Sequence, residues 1–275
     1  MAQVDKQRLK NKTIVIVGGT SGLGLSAASA CAAEGARLVL VGRDESKCQQ
    51  AIADFDSAAV YLVGDASLPT TSEAAIALAV ERFGHLDGLY HVAGGSGRRR
   101  GDGPLDQITD EGWDFTLRLN LDSLFYSNRA AVQQFLRQDS AGSILNMSSV
   151  LAESPSPHFF ATHAYAATKA AAIGLTKASA AYYAAQNIRF NVLAPALVDT
   201  PLAHRALADD ETMEYIRTKQ PLDGGRVGYP ADADQAVIFF LGDESHFVTG
   251  QVLAIDGGWS VSEGQHQRAS KSTNT

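Results

Sequence analysis

The chain has 275 residues, 45% hydrophobic and 19% charged, with a formal net charge of −7. That length suits one α/β domain with a single large core, and no run approaches the roughly 18 successive apolar residues that a bilayer span requires. Phosphate binding needs a basic face, so we expect neither nucleic acid nor membrane as a partner.

The start, "MAQVDKQRLKNK", carries charge with no apolar segment behind it, so no export signal is expected. Cys31 and Cys48 each fall in a predicted helix rather than a spaced framework, which suits reduced thiols and a cytoplasmic location. The first predicted strand, "TIVIV" from Thr13, runs straight into "VGGTSGLG". Glycines 18, 22 and 24 let the chain turn sharply and bring backbone against a pyrophosphate seated on the next helix N-terminus. A tight turn with no ligand needs similar residues, and Gly-x-x-x-Gly-x-Gly is not the Gly-x-Gly-x-x-Gly fingerprint.

Six more short apolar runs follow: "RLVLV" from Arg37, "AVYLV" from Ala59, "GLYHV" from Gly88, "SILNM" from Ser143, "IRFNVL" from Ile188 and "VLAID" from Val252. Alanine-rich segments with helical spacing separate them. Strands without strict alternation belong to a sheet buried on both faces, so the predicted fold is α/β: a Rossmann-like, doubly wound, seven-stranded parallel sheet with helices on both faces. No linker or repeat divides it, which predicts a single domain over 1–262 and a mobile polar tail over 263–275.

Between strands, "GGSGRRRGDG" puts Arg98, Arg99 and Arg100 on a glycine-rich loop, either as a solvated tip or as a site for an acidic substrate. In "ESPSPHFFATH" Pro155 and Pro157 stiffen a loop. His158 and His163 lie there without a partner pattern for metal ligation, so no metal site is expected. "AYAATKA" opens a long helix with Tyr165 and Lys169 four apart, hence on one face. Such a pair taken alone is ordinary surface decoration. Residues 200–225 form a segment too long for a turn. Leu202, Leu207, Met213, Tyr215 and Ile216 predict a short amphipathic helix there, either a lid over the site or packing on the core.

Taken together, the Gly18/Gly22/Gly24 turn, Asp65, Ala93-Gly94, Asn120, Ser149, Tyr165-x-x-x-Lys169, Pro195 to Thr200 and "TGQVLAIDGG" from Thr249 resemble the short-chain dehydrogenase/reductase family, from about Leu9 to Trp259. The resemblance implies hydride transfer between a nicotinamide nucleotide and a carbonyl or secondary alcohol. Tyr165 is then general acid/base, Ser149 bonds the substrate oxygen, and Lys169 holds ribose and favours the phenolate. Asn120, in a long helix, holds a water by its carbonyl. Ser149 is preferred to Ser148, since successive side chains at a strand end face opposite ways.

The same resemblance assigns cofactor contacts to Gly18, Thr20, Ser21, Gly22, Leu23, Gly24, Asp65, Ala66, Ala93, Gly94, Pro195, Val198 and Thr200. After the second strand Gly42 stands where an acid would serve NAD, and Arg43 suits a 2′-phosphate, with Asp44 beside it. This favours NADP(H) over NAD(H). Three departures stand out: Val17 for threonine, His91-Val92 for Asn-Asn, and Ala196 for glycine. The second removes amides expected to tie strands and loops together. A homodimer or homotetramer is implied, through the helices around Asn120 and after Tyr165. The rival reading is a nucleotide-sensing regulator without catalysis. For the substrate, Phe159, Phe160 and the 200–225 segment suggest a mainly apolar pocket and a neutral ketone, with Arg98 to Arg100 the competing case of an acidic one.

Overall fold

The computed structural model describes residues 7–264; residues 265–275 of the predicted tail lie outside that range. All seven predicted strands form: β1 (Thr13–Val17), β2 (Arg37–Gly42), β3 (Ala59–Val63), β4 (Gly88–His91), β5 (Gly142–Met147), β6 (Ile188–Pro195) and β7 (Val252–Ile255). They build one parallel sheet in the order β3-β2-β1-β4-β5-β6-β7. Helices α1 (Gly22–Ala33), α2 (Glu45–Ile52), α3 (Pro69–Phe83), α4 (Asp110–Leu117), α5 (Ser123–Arg137) and α6 (His163–Tyr183) alternate with the strands. Helices α7 (His204–Leu207), α8 (Asp210–Lys219) and α9 (Asp234–Leu241) complete the chain between β6 and β7.

Every residue of β1 is buried, because the strand alternates between two cores rather than between core and water. Ile14 and Ile16 join Leu38 and Leu40 against Ala27, Ala28 and Cys31 of α1 and Val237 and Ile238 of α9. Val15 and Val17 join Val39 and Val41 on the other face, against Ala75 and Ile76 of α3 and Ala131 and Phe135 of α5. Val17 is thus core, 2% exposed, and its methyls serve that packing. Small residues on α1, α3 and α5 let these helices lie close to the sheet.

The strand order reverses direction between β1 and β4, which opens a crevice at their carboxyl ends. The Asn120 segment departs from the single long helix expected: a π-helical turn, Arg118–Asp122, joins α4 to α5. Such turns leave wide, imperfectly paired backbone and recur at functional sites.

Candidate active site

Segments that follow β1, β4, β5 and β6 enclose a cavity of about 400 Å³. Leu23, Gly94, Ser149, Tyr165, Lys169, Pro195, Val198 and Thr200 line it. Gly18, Thr20, Ser21, Gly22, Gly24, Arg43, Asp65, Ala66, Ala93 and Asn120 are not among its lining residues.

The glycine turn is built as a cradle. Gly18 has φ +92, and a Cβ there would come 2.7 Å from the Ala93 nitrogen; one on Gly24 would come 2.1 Å from the Gly18 carbonyl oxygen. Ser21 at the N-cap of α1 makes no side-chain capping bond, and no acid lies in the first turn. Those backbone amides suit a phosphate. At the end of β2 no acid is present, and a Cβ on Gly42 would meet the Thr20 side chain at 2.6 Å and Cys48 Sγ at 2.9 Å. Asp44 is engaged in capping α2 by accepting from the Lys47 amide at 3.0 Å. Arg43 beside it is exposed. Asp65 is exposed too and accepts from the Ser67 amide at 2.9 Å. A dinucleotide therefore fits the residues present.

Lys169 is 3% exposed, donates from Nζ to the Met147 carbonyl at 3.0 Å, and lies 5.5 Å from the centre of the Tyr165 ring. Ser149 lies beside the Tyr165 phenol, where it favours the phenolate, and accepts from the Leu151 amide at 3.2 Å. Ser148 instead donates to the Lys169 carbonyl at 2.8 Å and ties β5 to α6. The two serines thus face different partners, as the strand-end argument expects. Burial pushes the Tyr165 phenol up to about 12, with the Ser149 hydrogen bond acting in the opposite sense. Burial likewise brings the Lys169 ammonium down to about 8. The depression of the phenol expected from the neighbouring cation is therefore outweighed by desolvation in the protein alone.

The Asn120 side chain accepts from the Gly95 amide and donates to the Gly95 and Thr116 carbonyls, each at 2.9 Å. It pins the loop after β4. His91 takes over the tie that the missing amides would have made: its ring meets Ser127 Oγ at 2.8 Å and Ser123 Oγ at 3.4 Å, both on α5. Burial, then the charge of Lys169, holds the His91 ring down near 3, so it is neutral.

Two further groups escaped the sequence reading. Asp102, 5% exposed, accepts from the Ala164 and Tyr165 amides at 3.0 Å each, and so caps α6 from a loop some sixty residues earlier. Thr162, the residue at that N-cap, makes no side-chain capping bond. A long helix that starts without a local capping bond is the only signal that could have prompted a search for a distant acid. Arg205 also lines the cavity, within a segment read as a lid for its apolar residues alone.

That segment forms α7 and α8 rather than one helix. Ile216 and Tyr215 pack with Val150, Phe160 and Trp259, and Tyr215 stacks on Phe159 with ring centres 4.5 Å apart. Leu202, Ala203, His204, Arg205 and Ala206 line the cavity, as do Val150, Phe160 and Trp259, the residues against which α8 packs. Among the described residues no helix is long and apolar enough to cross a membrane, and no group of three His, Cys, Asp or Glu could hold a metal ion.

A family model described as Enoyl-(Acyl carrier protein) reductase matches residues 17–260. The chain is 36% identical over 259 residues to 2-keto-3-deoxy-L-fuconate dehydrogenase of Xanthomonas campestris pv. campestris, covering 92% of this chain and 81% of that one. A short-chain type dehydrogenase/reductase from Mycobacterium ulcerans has a solved structure that superposes with a TM-score of 0.84 at 30% identity, covering 93% of this chain and 92% of that one. The 3-ketoacyl-(acyl-carrier-protein) reductase from Brucella melitensis, solved in complex with NADH, superposes at 0.81 with 27% identity, covering 92% of this chain and all 100% of that one. With a Rossmann-like sheet, a glycine cradle for a nicotinamide nucleotide, and these likenesses over nearly its whole length, the chain belongs to the short-chain dehydrogenase/reductase family of oxidoreductases acting on alcohol and ketone substrates.

Proposed function

We propose that the chain is an NADP(H)-dependent oxidoreductase that interconverts a carbonyl compound and a secondary alcohol, with Tyr165 as general acid/base. The observation that carries this reading is the convergence of Tyr165, Ser149 and Lys169 on one cavity, with the Lys169 ammonium 5.5 Å from the centre of the Tyr165 ring. A phenol held near 12 keeps its proton at neutral pH, and so is poised to give it to a carbonyl oxygen. Ser149 donates to the same oxygen and stabilises the charge that develops there. Lys169 favours the phenolate left on Tyr165, and in the reverse direction it helps Tyr165 accept the alcohol proton. The Asn120 side chain is taken up by Gly95 and Thr116, so its role falls to the backbone carbonyl, which holds a water leading from Lys169 to solvent.

A bound nicotinamide nucleotide supplies or accepts the hydride. Gly18, Thr20, Ser21, Gly22, Leu23 and Gly24 would hold its pyrophosphate, with Thr200 also on a phosphate; Lys169 would hold its ribose, Val198 the nicotinamide amide, and Pro195, Asp65, Ala66, Ala93 and Gly94 would complete the binding crevice. Preference for NADP(H) is supported by an acid-free end of β2, an exposed Arg43, and an Asp44 already engaged as a cap. NAD(H) is the alternative, as in the Brucella neighbour. Residues 200–225 act as a lid over this site. The protein works in the cytoplasm, with both of its cysteines buried and free. It assembles as a homodimer or homotetramer, which the exposed Phe125, Leu136 and Tyr182 of α5 and α6 support.

Tyr165→Phe keeps the ring and removes the transferable proton. Turnover of a carbonyl panel, followed by nicotinamide absorbance, should fall at least about a hundredfold while cofactor affinity by fluorescence is kept. Retained turnover would overturn the assignment.

A further inference from the structure

The arginine run divides in the folded chain. Arg100 lies over the Phe115 ring at 5.4 Å, whereas Arg98 and Arg99 reach the cavity wall. His204 and Arg205, the first residues of α7, line the same cavity. Among the described residues that line the cavity there is no aspartate or glutamate. Burial and the charge of Arg205 both lower the proton affinity of Arg98, so the two guanidinium groups sense each other. In a chain of net charge −7 this is a local excess of positive charge at the mouth of a site.

The nearby acids are committed elsewhere. Asp102 raises the proton affinity of Arg98, but its oxygens accept from the Ala164 and Tyr165 amides. Asp209 senses Arg205, yet it caps α8 by accepting from the Thr212 amide and hydroxyl. No ion pair joins Arg98, Arg99 or Arg205 to a carboxylate among the described residues. Like charges gathered at a partly desolvated wall repel, and an anion entering between them relieves that repulsion.

The loop also holds its charge at a set distance from the chemistry. The Asp102 amide donates to the Gly97 carbonyl at 3.2 Å and closes the turn that carries the arginines. The Asp102 carboxylate accepts from the Tyr165 amide itself. Arg98 and Tyr165 are therefore referenced to one residue, so a substrate's charge and its carbonyl carbon would be registered together.

We propose that Arg98 and Arg205 form an anion-recognising wall, so that the substrate is a carbonyl compound or alcohol bearing a carboxylate or a similar anionic group. The apolar floor of Val150, Phe160 and Trp259 takes the carbon chain between the two ends. This rests on the oxidoreductase reading above for the fate of the carbonyl, but not for the binding of the anion.

Keto acids with the carbonyl three to five bonds from the carboxylate, and their methyl esters, form matched probes of equal skeleton. The wild-type protein should prefer acid to ester by at least about tenfold in kcat/KM, with the advantage shrinking as salt is raised. In R98Q, R205Q and the double variant the acid-to-ester ratio should fall toward unity, the loss residing in KM; R100Q should keep it. Calorimetric titration of the same keto acids into protein saturated with oxidised cofactor gives binding without turnover. Arginine-dependent binding of the acid with no reduction of either probe would uphold the anion wall and strike down the oxidoreductase reading. Reduction of acid and ester with equal efficiency, or a ratio unmoved in the variants, would overturn the anion wall alone. So would a loss confined to the cofactor KM, which would assign the arginines to the nucleotide. Absence of both binding and turnover would also overturn it.

Discussion

Arg43 shows how one residue's meaning depends on its neighbour's volume. Gly42 precedes it because Thr20 and Cys48 already fill the space a side chain would take. The acid that grips ribose hydroxyls in NAD-binding proteins of this fold is absent there, and Asp44, two residues along, is bound to the Lys47 amide. What remains at the rim is an exposed guanidinium, suited to a phosphate by geometry as well as charge. Arg43→Gln should therefore weaken NADPH binding at least about tenfold and NADH binding far less, since only the former offers a 2′-phosphate for a charge-assisted bond. Fluorescence titration with both nucleotides measures this; equal losses would leave Arg43 as a solvated side chain.

Helix α6 carries both Tyr165 and Lys169, and its start is held from outside. Tyr165 lies in its first turn, where amides have no partner within the helix. Asp102 fills that role for Ala164 and Tyr165 with both carboxylate oxygens, and its charge also complements the helix dipole. Ser148 bonds the Lys169 carbonyl, so the helix is tied to neighbouring loops at both Tyr165 and Lys169. Asp102→Ala should cost about 1–2 kcal/mol in urea unfolding, the usual worth of a cap, and lower kcat more than it raises KM because Tyr165 loses its anchor. Asp102→Asn keeps one acceptor and should recover part of both. A variant that loses stability while kcat is unchanged would confine Asp102 to a structural role.

For the molecule as a whole, His91 sits where two strands and a helix meet at the end of β4, bonded to Ser123 and Ser127 and close to the Lys169 charge. Its ring is held down near 3, whereas in the unfolded chain it titrates near the ordinary value of about 6.5. Between those values the unfolded state binds more protons than the folded one. Stability should then fall as pH drops below about 6.5, at up to about 1.4 kcal/mol per pH unit from this residue. Urea midpoints measured from pH 7 to pH 4 should show that slope, and His91→Asn, which can bond the same hydroxyls without titrating, should flatten it. An unchanged slope in the variant would trace the acid sensitivity to other groups.

Periodicity alone was enough for the seven strands, because burial on both faces requires unbroken runs such as "TIVIV" and "RLVLV". The glycine turn and the Tyr165/Lys169 spacing were equally legible, since backbone approach and helical repeat act over a few residues. The rest depended on contacts between distant segments. The choice of Ser149 over Ser148 was legible from strand-end alternation, but that Ser148 ties β5 to the Lys169 carbonyl was not. That Asp102 anchors a helix some sixty residues away, and that Arg98 and Arg205 line one cavity while Arg100 turns onto Phe115, follows from how loops close over the sheet. Local pattern determines an element because its energetics are local. The partners of a buried carboxylate or a crowded guanidinium depend on which segments the fold brings together, so only the tertiary structure could decide them.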